Sequence, residues 1–318
     1  MLRRSLPPEK RLRALKVKDP TLLRYDDAVF EFQKWATLNK VSILSPLLID
    51  KAMCRYFCAL KDDSRPLSDA TYTVYGWILL KSQCNVPEKQ QLSLAKGAIA
   101  GWQSRCPGGT RTGADPALLH LFAEEFIALG RTDAAGCLEL QLDGYLRPSE
   151  AVVARGRDFF PPSASTASPW GMVVGNSEFG ETTKSKKQDD TILFDSADRT
   201  FLPRILKRIT AGKLSLDVPI FPCLTLSVYE ELFRKVGKSL GIASLRVTPH
   251  TVRHSGPSWD RLHNLRNDSQ IQDRGRWACS RSVLRYKKPG RLLLAMSSLP
   301  ESVRKRMPVA LSHVLTHF

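Results

Sequence analysis

The sequence predicts a mainly α-helical protein with a small β-hairpin or sheet, an α+β fold arranged in two domains. Its 318 residues, 42% of them apolar, are enough to give each of two domains a core of its own. Apolar residues recur every three or four positions along most of the chain, which favours amphipathic helices over strands. Two short β-rich runs, residues 170–174 and 191–194, are joined by a polar segment that contains lysines, and they predict one hairpin.

The first 105 residues predict a basic arm followed by a helical domain. Residues 1–24 are basic and lack the hydrophobic stretch of a secretory signal, so they are either a DNA-contacting arm or a nuclear address. The domain over residues 25–105 contains four helical patterns, at residues 25–38, 47–60, 68–79 and 91–102. A helical unit of this size is common both as a DNA-gripping module and as a plain bundle.

Residues 106–113 are rich in glycine and predict a linker to the second domain, residues 114–318. That domain carries helical patterns at residues 115–129, 134–142, 199–210, 226–240 and 299–318. Gly241 suits a helix C-terminus, and Pro148 suits the first turn of a further helix that would aim Arg147 outward. A Ser/Pro-rich loop at residues 161–169 looks like an insertion, and Pro289 with Gly290 is expected to break the chain before the last helix.

The charge of the chain indicates a polyanionic partner. The formal net charge is +17 and the pI is near 9.8. Both domains share this excess, because residues 1–113 carry 19 basic and 10 acidic side chains and residues 114–318 carry 29 and 21. A basic structural protein, such as one from a ribosome, would have a similar balance, so charge alone does not choose between the two classes.

Neither a disulfide framework nor a metal site is predicted. The seven cysteines are odd in number and form no C-x-x-C pair, which favours reduced thiols inside the cell. No apolar run approaches the roughly 20 residues that cross a bilayer. Pairs with the helical spacing i, i+4 that could bind zinc lack a third ligand nearby, and they are His250/His254, His313/His317 and Cys54/Cys58.

Residues 248–286 concentrate the side chains suited to chemistry. Thr248 can cap a helix, and Pro249 suits its first turn. His250 and Arg253, three apart, then fall on one face of that helix and present an imidazole beside a permanent cation. Taken singly, each is more often a surface or structural residue than a functional one.

Two aromatic residues follow in the same stretch. Trp277 offers an indole N–H donor, and Tyr286 lies nine residues further on. Tyr286 has basic neighbours that are unusual for a tyrosine in a packed core, namely Arg281, Arg285, Lys287 and Lys288. A tyrosine in such a setting is either amphipathic surface or a phenol placed to meet an oxyanion or a phosphodiester.

This block resembles the C-terminal active-site motif of the tyrosine recombinases, the phage integrase family. The family pattern is H-x-x-R-H, followed by a His or Trp nine residues before the nucleophilic Tyr. His250, Arg253, His254, Trp277 and Tyr286 match it in type and order, and the separation of 286 − 277 = 9 matches it in spacing. The resemblance is to a remote member of the family, such as one from a mobile element.

A second box upstream fits the same family. Its first catalytic arginine opens an R-x-x-E step, which Arg147 and Glu150 reproduce 103 residues before His250. Family members usually place Gly two residues before this arginine, whereas here Gly144 lies three before it. We interpret the difference as a local shift.

The family also holds a catalytic lysine in a β-hairpin. The predicted hairpin carries three lysines in its turn, of which Lys184 is the first choice, with Lys186 and Lys187 as alternatives because the turn length is not fixed by the pattern. At least two of the three are expected to be ordinary solvated charges.

The resemblance implies transesterification at a DNA phosphodiester without metal or cofactor. Tyr286 would attack phosphorus and form a 3′-phosphotyrosyl link, and His250 would either accept the phenolic proton or bind a phosphoryl oxygen. Arg147 and Arg253 would hold the non-bridging oxygens, Trp277 would donate one more hydrogen bond, and the hairpin lysine would protonate the departing 5′ oxygen.

The function predicted from the resemblance is that of a site-specific recombinase or integrase acting on double-stranded DNA as a dimer to tetramer. The helical domain would then be core-binding-like and grip DNA, and the protein would be intracellular and DNA-associated. Two alternatives stay open, a DNA-binding descendant that no longer cuts and a type IB topoisomerase that relaxes DNA without exchanging strands. The C-terminal tail would dock either on a neighbouring subunit or on its own domain.

Overall fold

The computed structural model describes residues 11, 14–15, 17–81, 91–106, 113–165, 168–181, 183, 188–286 and 289–318. The chain divides into two compact units, Met1–Gly109 and Thr110–Phe318. The predicted mainly α fold with a small sheet is confirmed, because helices dominate both units and the second adds a three-stranded antiparallel sheet. Most of the predicted linker, residues 107–112, and residues 1–10 of the predicted arm lie outside the described part of the chain.

The first unit contains the four predicted helices with shifted ends. They are α1 (Asp19–Leu38), α2 (Pro46–Asp62), α3 (Leu67–Gly76) and α4 (Ser93–Arg105). The helix α1 begins inside the stretch predicted as a basic arm, because Pro20 suits its first turn. A turn of π-helix, Trp77–Lys81, continues α3.

An apolar core and one buried carboxylate hold the first unit together. Phe32, Met53 and Val74 are fully buried between α1, α2 and α3. Asp50 on α2 accepts hydrogen bonds from the backbone N–H groups of Leu94 (3.0 Å) and Ala95 (2.8 Å). These are the first N–H groups of α4, which have no partner within the helix, so Asp50 caps α4 from a neighbouring element.

The second unit contains nine α-helices and three strands within its described residues. The helices are α5 (Pro116–Ala128), α6 (Thr132–Asp143), α7 (Pro148–Val152), α8 (Leu202–Ile209), α9 (Leu226–Ser239), α10 (Pro249–Leu262), α11 (Asp268–Arg274), α12 (Pro289–Ser297) and α13 (Glu301–Leu315). The strands are β1 (Phe159–Phe160), β2 (Gly171–Val174) and β3 (Asp190–Leu193), in the order β1-β2-β3. The strand β1 was not predicted, because two residues are too few to give a pattern.

The predicted hairpin is β2 and β3, paired in antiparallel register with Met172 opposite Ile192. Gly241 adopts φ +71° just past the end of α9, as expected for a helix stop. Pro289 and Gly290 do not break the chain as predicted, because α12 begins at Pro289, whose missing N–H is tolerated at a first position.

The C-terminal tail packs on its own unit. The helix α13 lies against α5, with Val303 and Val314 buried between them. His313 Nδ1 lies 2.7 Å from Glu124 Oε1 on α5. The sequence left two partners open for this tail, a neighbouring subunit or its own domain, and in the described structure it packs on its own domain. None of the helices in the described residues is both long and apolar enough to span a membrane.

Candidate active site

The turn between α6 and α7 sets the position of Arg147. Arg147 is the residue just before α7, and Glu150 on the first turn accepts the backbone N–H of Arg147 at 2.8 Å. The Arg147 guanidinium also donates to Glu150, so it is turned inward rather than aimed outward as predicted, and only 17% of its side chain is exposed. Gly144 has an ordinary φ of −76°, and it is Tyr145, two residues before Arg147, that takes the left-handed φ of +47°. The position where the family usually has Gly is therefore filled by a tyrosine in the glycine-like conformation, not displaced by one residue.

Glu150 brings three arginines together. One of its oxygens, Oε2, accepts from Arg276 Nη2 at 2.8 Å, and Nη1 of Arg253 lies 3.8 Å from the same oxygen. Burial alone would raise the pKa of Glu150, but Arg276 and Arg147 outweigh burial and hold that pKa below its ordinary value. Counted over its ion pairs, this cluster has a charge of 3 − 1 = +2, and the Asp190 carboxylate acts weakly on Arg276 from outside those pairs.

Arg253 lies inside the unit on α10, with 5% of its surface exposed. The helix α10 begins as predicted after Thr248, whose backbone N–H donates to the Thr251 hydroxyl at 3.0 Å. From there the guanidinium of Arg253 donates to the backbone carbonyls of Tyr145 and Gly275, the second at 2.9 Å. Burial first, and then the positive charge of Arg276, lower the pKa of Arg253 to about 10. A lowered pKa means that the charged form is under-compensated at this place and would be stabilised by an added anion.

Trp277 and Tyr286 pack against the arginine cluster. Their ring centroids are 4.9 Å apart, and the Arg253 guanidinium lies 5.3 Å from the centroid of the Trp277 ring. His254 meets Tyr286 from the other side at 5.6 Å between centroids. The four predicted residues Arg253, His254, Trp277 and Tyr286 are therefore neighbours in space.

Tyr286 is buried, which the sequence did not predict. Only 5% of its surface is exposed, and it shares an apolar cluster with Tyr145, Ile271 and Val283. Its segment, Ser280–Tyr286, is a 3₁₀ helix with three residues per turn, so Val283 and Tyr286 point the same way. Arg281 lies on the exposed side of that segment, which explains how a basic run can carry a buried phenol.

His250 and the lysines complete the predicted set. His250 is exposed on the first turn of α10, one turn before His254. Lys184, Lys186 and Lys187 lie outside the described residues, between the end of β2 and the start of β3. Their predicted role therefore stays a prediction. The described residues hold no group of three or more side chains suited to bind a metal ion.

A second arginine network supports the same turn through the hydroxyl of Tyr145. The Tyr145 hydroxyl donates to Asp260, which also accepts from Arg199 and, at 3.0 Å, from Arg266 Nε. Burial, and then Asp260, raise the pKa of Tyr145 well above its ordinary value, so this phenol stays a donor. The network contains four carboxylates and three guanidinium groups, namely Asp143, Asp195, Asp198, Asp260, Arg199, Arg266 and Arg274.

Arg276 and Tyr145 were missed as site residues. Both are buried, and both have a left-handed backbone, with φ of +55° and +47°. The sequence does contain one signal for Arg276, because the run Arg274-Gly275-Arg276-Trp277 sets two arginines beside a residue of the motif. Its partner Glu150 is 126 positions away, so the spacing of the motif could not reveal the pair.

Among the solved structures to which this chain is distantly similar are two complexes of one recombinase. The chain is similar to the XerH site-specific recombinase bound to a palindromic difH substrate in a post-cleavage complex, with 14% sequence identity, 80% of this chain and 72% of that chain covered, and a TM-score of 0.49. It is also similar to XerH bound to difH substrate in a pre-cleavage complex, with 15% identity, coverage of 80% and 70%, and a TM-score of 0.48. No family model and no curated protein matches the sequence. At these values the likeness assigns no role to any residue of this chain.

Proposed function

We propose that this protein breaks and rejoins DNA through a 3′-phosphotyrosyl intermediate, as a site-specific recombinase. One observation carries the proposal: three arginines that share a single ion-paired carboxylate, a charge of +2, lie against the ring of Trp277, which in turn contacts Tyr286. A surplus of buried positive charge is costly unless an anion meets it. A phosphodiester is an anion whose phosphorus atom the neighbouring phenol could also attack.

The reaction needs one bond formed and one broken at phosphorus. The Tyr286 oxygen attacks, the bond from phosphorus to the 5′ oxygen breaks, and the phosphorus stays linked to the protein at the 3′ end of the DNA strand. The phenolic proton leaves to His250 or to water, and the departing 5′ oxygen takes up a proton from one of Lys184, Lys186 and Lys187. The energy of the phosphodiester is kept in the new ester, so the strand can be rejoined without ATP.

Arg147 and Arg253 would stabilise the charge that builds on the non-bridging oxygens. The guanidinium fork donates two parallel hydrogen bonds to a phosphate, and such charge-assisted bonds are about twice as strong as neutral ones. Both arginines are already fixed before DNA arrives, Arg147 by Glu150 and Arg253 by two backbone carbonyls. A fixed donor has little orientational freedom left to lose when charge develops.

A second candidate, a DNA-binding protein that does not cut, is favoured by the burial of Tyr286. A phenol with 5% of its surface exposed has to leave its cluster before it reaches a phosphodiester in a duplex. The same assay separates the two candidates, because only the first leaves a covalent product.

Nicked suicide duplexes of random sequence test the proposal directly. The protein is incubated with them in a chelator, denatured, and examined for a protein–DNA adduct by gel and mass spectrometry. We expect an adduct on Tyr286 that disappears in Tyr286→Phe. Tyr75→Phe, which alters an exposed tyrosine of the first unit, is the matched control and should leave the adduct unchanged. DNA binding without an adduct across a broad library would support the non-cutting candidate instead.

Trapped DNA then separates recombination from relaxation. The sequences recovered from the adduct are cloned as single and paired sites in a supercoiled plasmid. Strand exchange between two sites, with a complex of two to four protein copies on the DNA, is expected of a recombinase. Relaxation of a plasmid with one site, without exchange when two are present, would assign the protein to the topoisomerase class.

A further inference from the structure

Arg276 takes a backbone conformation that side-chain-bearing residues rarely adopt. Its φ is +55°, in the left-handed region, and it comes directly after Gly275. Only 3% of its surface is exposed, so water does little to stabilise its charge. A cation that is both strained and buried persists where the surrounding structure holds it, and such positions are common near functional sites.

The contacts of Arg276 show what holds it. Its Nη2 donates to Glu150 Oε2 at 2.8 Å, and its Nη1 lies 3.3 Å from the carbonyl oxygen of Gly144. That carbonyl belongs to a run of three at the end of α6, because the carbonyls of Asp143 and Tyr145 accept from two further arginines. The negative end of the helix dipole therefore offsets part of the positive charge gathered there.

Arg276 acts through Glu150 Oε2 on Arg147 and Arg253, the two arginines proposed to bind a phosphate. This oxygen already accepts from Arg276 and from the backbone N–H of Arg147, while Nη1 of Arg253 lies 3.8 Å away, beyond hydrogen-bond distance. If Arg276 were absent, Glu150 would have lost its nearest cation on that side. The carboxylate would keep its bonds to Arg147, but it could close the remaining 3.8 Å to Arg253 and neutralise it.

We propose that Arg276 is a positioning residue that holds Glu150 away from Arg253 and keeps the surplus positive charge of the cluster available to a phosphate. The inference rests on the part of the proposed function in which Arg147 and Arg253 bind a phosphate. It adds a residue that acts through Glu150 rather than by holding the phosphate itself.

Charge counting distinguishes this role from simple support of the fold. The cluster has 3 − 1 = +2 in the wild type, and Arg276→Gly lowers it to 2 − 1 = +1. Adding Glu150→Gln returns it to 2 − 0 = +2 and removes the carboxylate that would close on Arg253. Glycine also suits the left-handed backbone, so Arg276→Gly relieves the conformational cost. If Arg276 only supported the fold, the second substitution would remove one more contact and weaken phosphate binding further.

Inorganic phosphate is the probe, because its affinity for the arginine cluster can be measured whether or not the protein cuts DNA. The dissociation constant is measured from the shift of the thermal unfolding midpoint with phosphate at constant ionic strength, with chloride as the reference salt. We expect Arg276→Gly to bind phosphate about tenfold more weakly, the effect of one charge lost a few ångströms away. We expect the double variant Arg276→Gly/Glu150→Gln to return to within about threefold of the wild type.

Control variants complete the test. Asn264→Gly changes another left-handed residue of the same unit, exposed and with φ +54°, and should leave phosphate affinity unchanged. If Arg276→Gly does not fold, Arg276→Lys decides, since it keeps the charge at 3 − 1 = +2 and should bind phosphate within about threefold of the wild type. A larger loss in that variant would overturn the inference.

The outcomes separate this inference from the proposed function. A double variant as weak as Arg276→Gly, or weaker, overturns the role of Arg276, and so does a wild type that prefers phosphate no more than chloride. If the phosphate pattern holds but no adduct forms on Tyr286, the cleavage proposal fails and the role of Arg276 stands. If the adduct forms but Arg276→Gly binds phosphate as the wild type does, the cleavage proposal stands and the role of Arg276 fails.

Discussion

Shortening Val283 is expected to release Tyr286. The two side chains, 2% and 5% exposed, share one apolar cluster with Ile271 and Tyr145. If the proposed chemistry is correct, the segment Ser280–Tyr286 must leave this cluster before the phenol reaches DNA. Contacts that hold the closed state then slow the reaction, although they stabilise the fold.

The size of the effect follows from the carbon atoms removed. Val283→Ala deletes two methyl groups from a fully buried position, at about 0.8 kcal/mol each, or about 1.6 kcal/mol. If those contacts are lost on opening, the open population rises about 15-fold, because about 1.4 kcal/mol corresponds to a factor of ten. The rate of adduct formation should rise by up to that factor.

The assay is single-turnover adduct formation on nicked DNA with protein in excess. Val303→Ala is the matched control, since Val303 is also 2% exposed but lies on α13, in the core shared with α5. It should lower stability by a similar amount and leave the rate unchanged. Equal rates for Val283→Ala and the wild type, or an equal rise in both variants, would refute the idea that packing of Tyr286 limits the reaction.

Three further predictions concern stability. Asp260→Asn should lower the free energy of unfolding in urea by about 3 kcal/mol, the lower end of the cost of breaking a buried ion pair, because Asp260 is 1% exposed and pairs with two arginines that each keep a second carboxylate; a change below about 1 kcal/mol would contradict that account. Gly256→Ala should lower the unfolding midpoint, because an added Cβ would lie 2.5 Å from the Leu142 carbonyl oxygen, whereas Gly237→Ala, with nothing nearer than 4.0 Å, should be neutral or stabilising by up to about 1 kcal/mol. Glu150→Gln should flatten the loss of stability in acid: its arginine partners hold the pKa of Glu150 low in the fold, so its contribution is complete above the unfolded pKa of about 4.3 and is lost as pH falls through the folded value. Unfolding midpoints between about pH 5 and pH 3 check this, and parallel acid limbs for variant and wild type would count against it.

Local relationships in the sequence were predictable because they depend on a few neighbouring residues. The start of α10 after Thr248 follows from capping chemistry. The pairing of Arg147 with Glu150 follows from their spacing of three at a helix start, although the sequence suggested that Arg147 points outward. The helical character of both units follows from apolar periodicity.

Relationships across the chain were not predictable in the same way. Arg276 reaches Glu150 over 126 positions, and Tyr145 reaches Asp260 over 115. Periodicity specifies which face of an element is apolar, but it does not specify which element covers that face. The burial of Tyr286 was missed for this reason, since Arg281 lies on the exposed side of a 3₁₀ segment whose buried side carries Val283.

Charge balance, rather than burial, distinguishes the two arginine clusters that meet at the turn between α6 and α7. In the cluster that contains the Tyr145 partner Asp260, four carboxylates pair with three guanidinium groups, so it can hold the turn without an outside anion. In the cluster around Glu150, one carboxylate faces three guanidinium groups, and burial lowers the pKa of Arg253 to about 10. The first arrangement has a carboxylate for every guanidinium group, whereas the second has a positive surplus that an anion would offset. In the proposed reaction, the fixed turn would supply the geometry and the unmatched charge would supply the affinity for a phosphate.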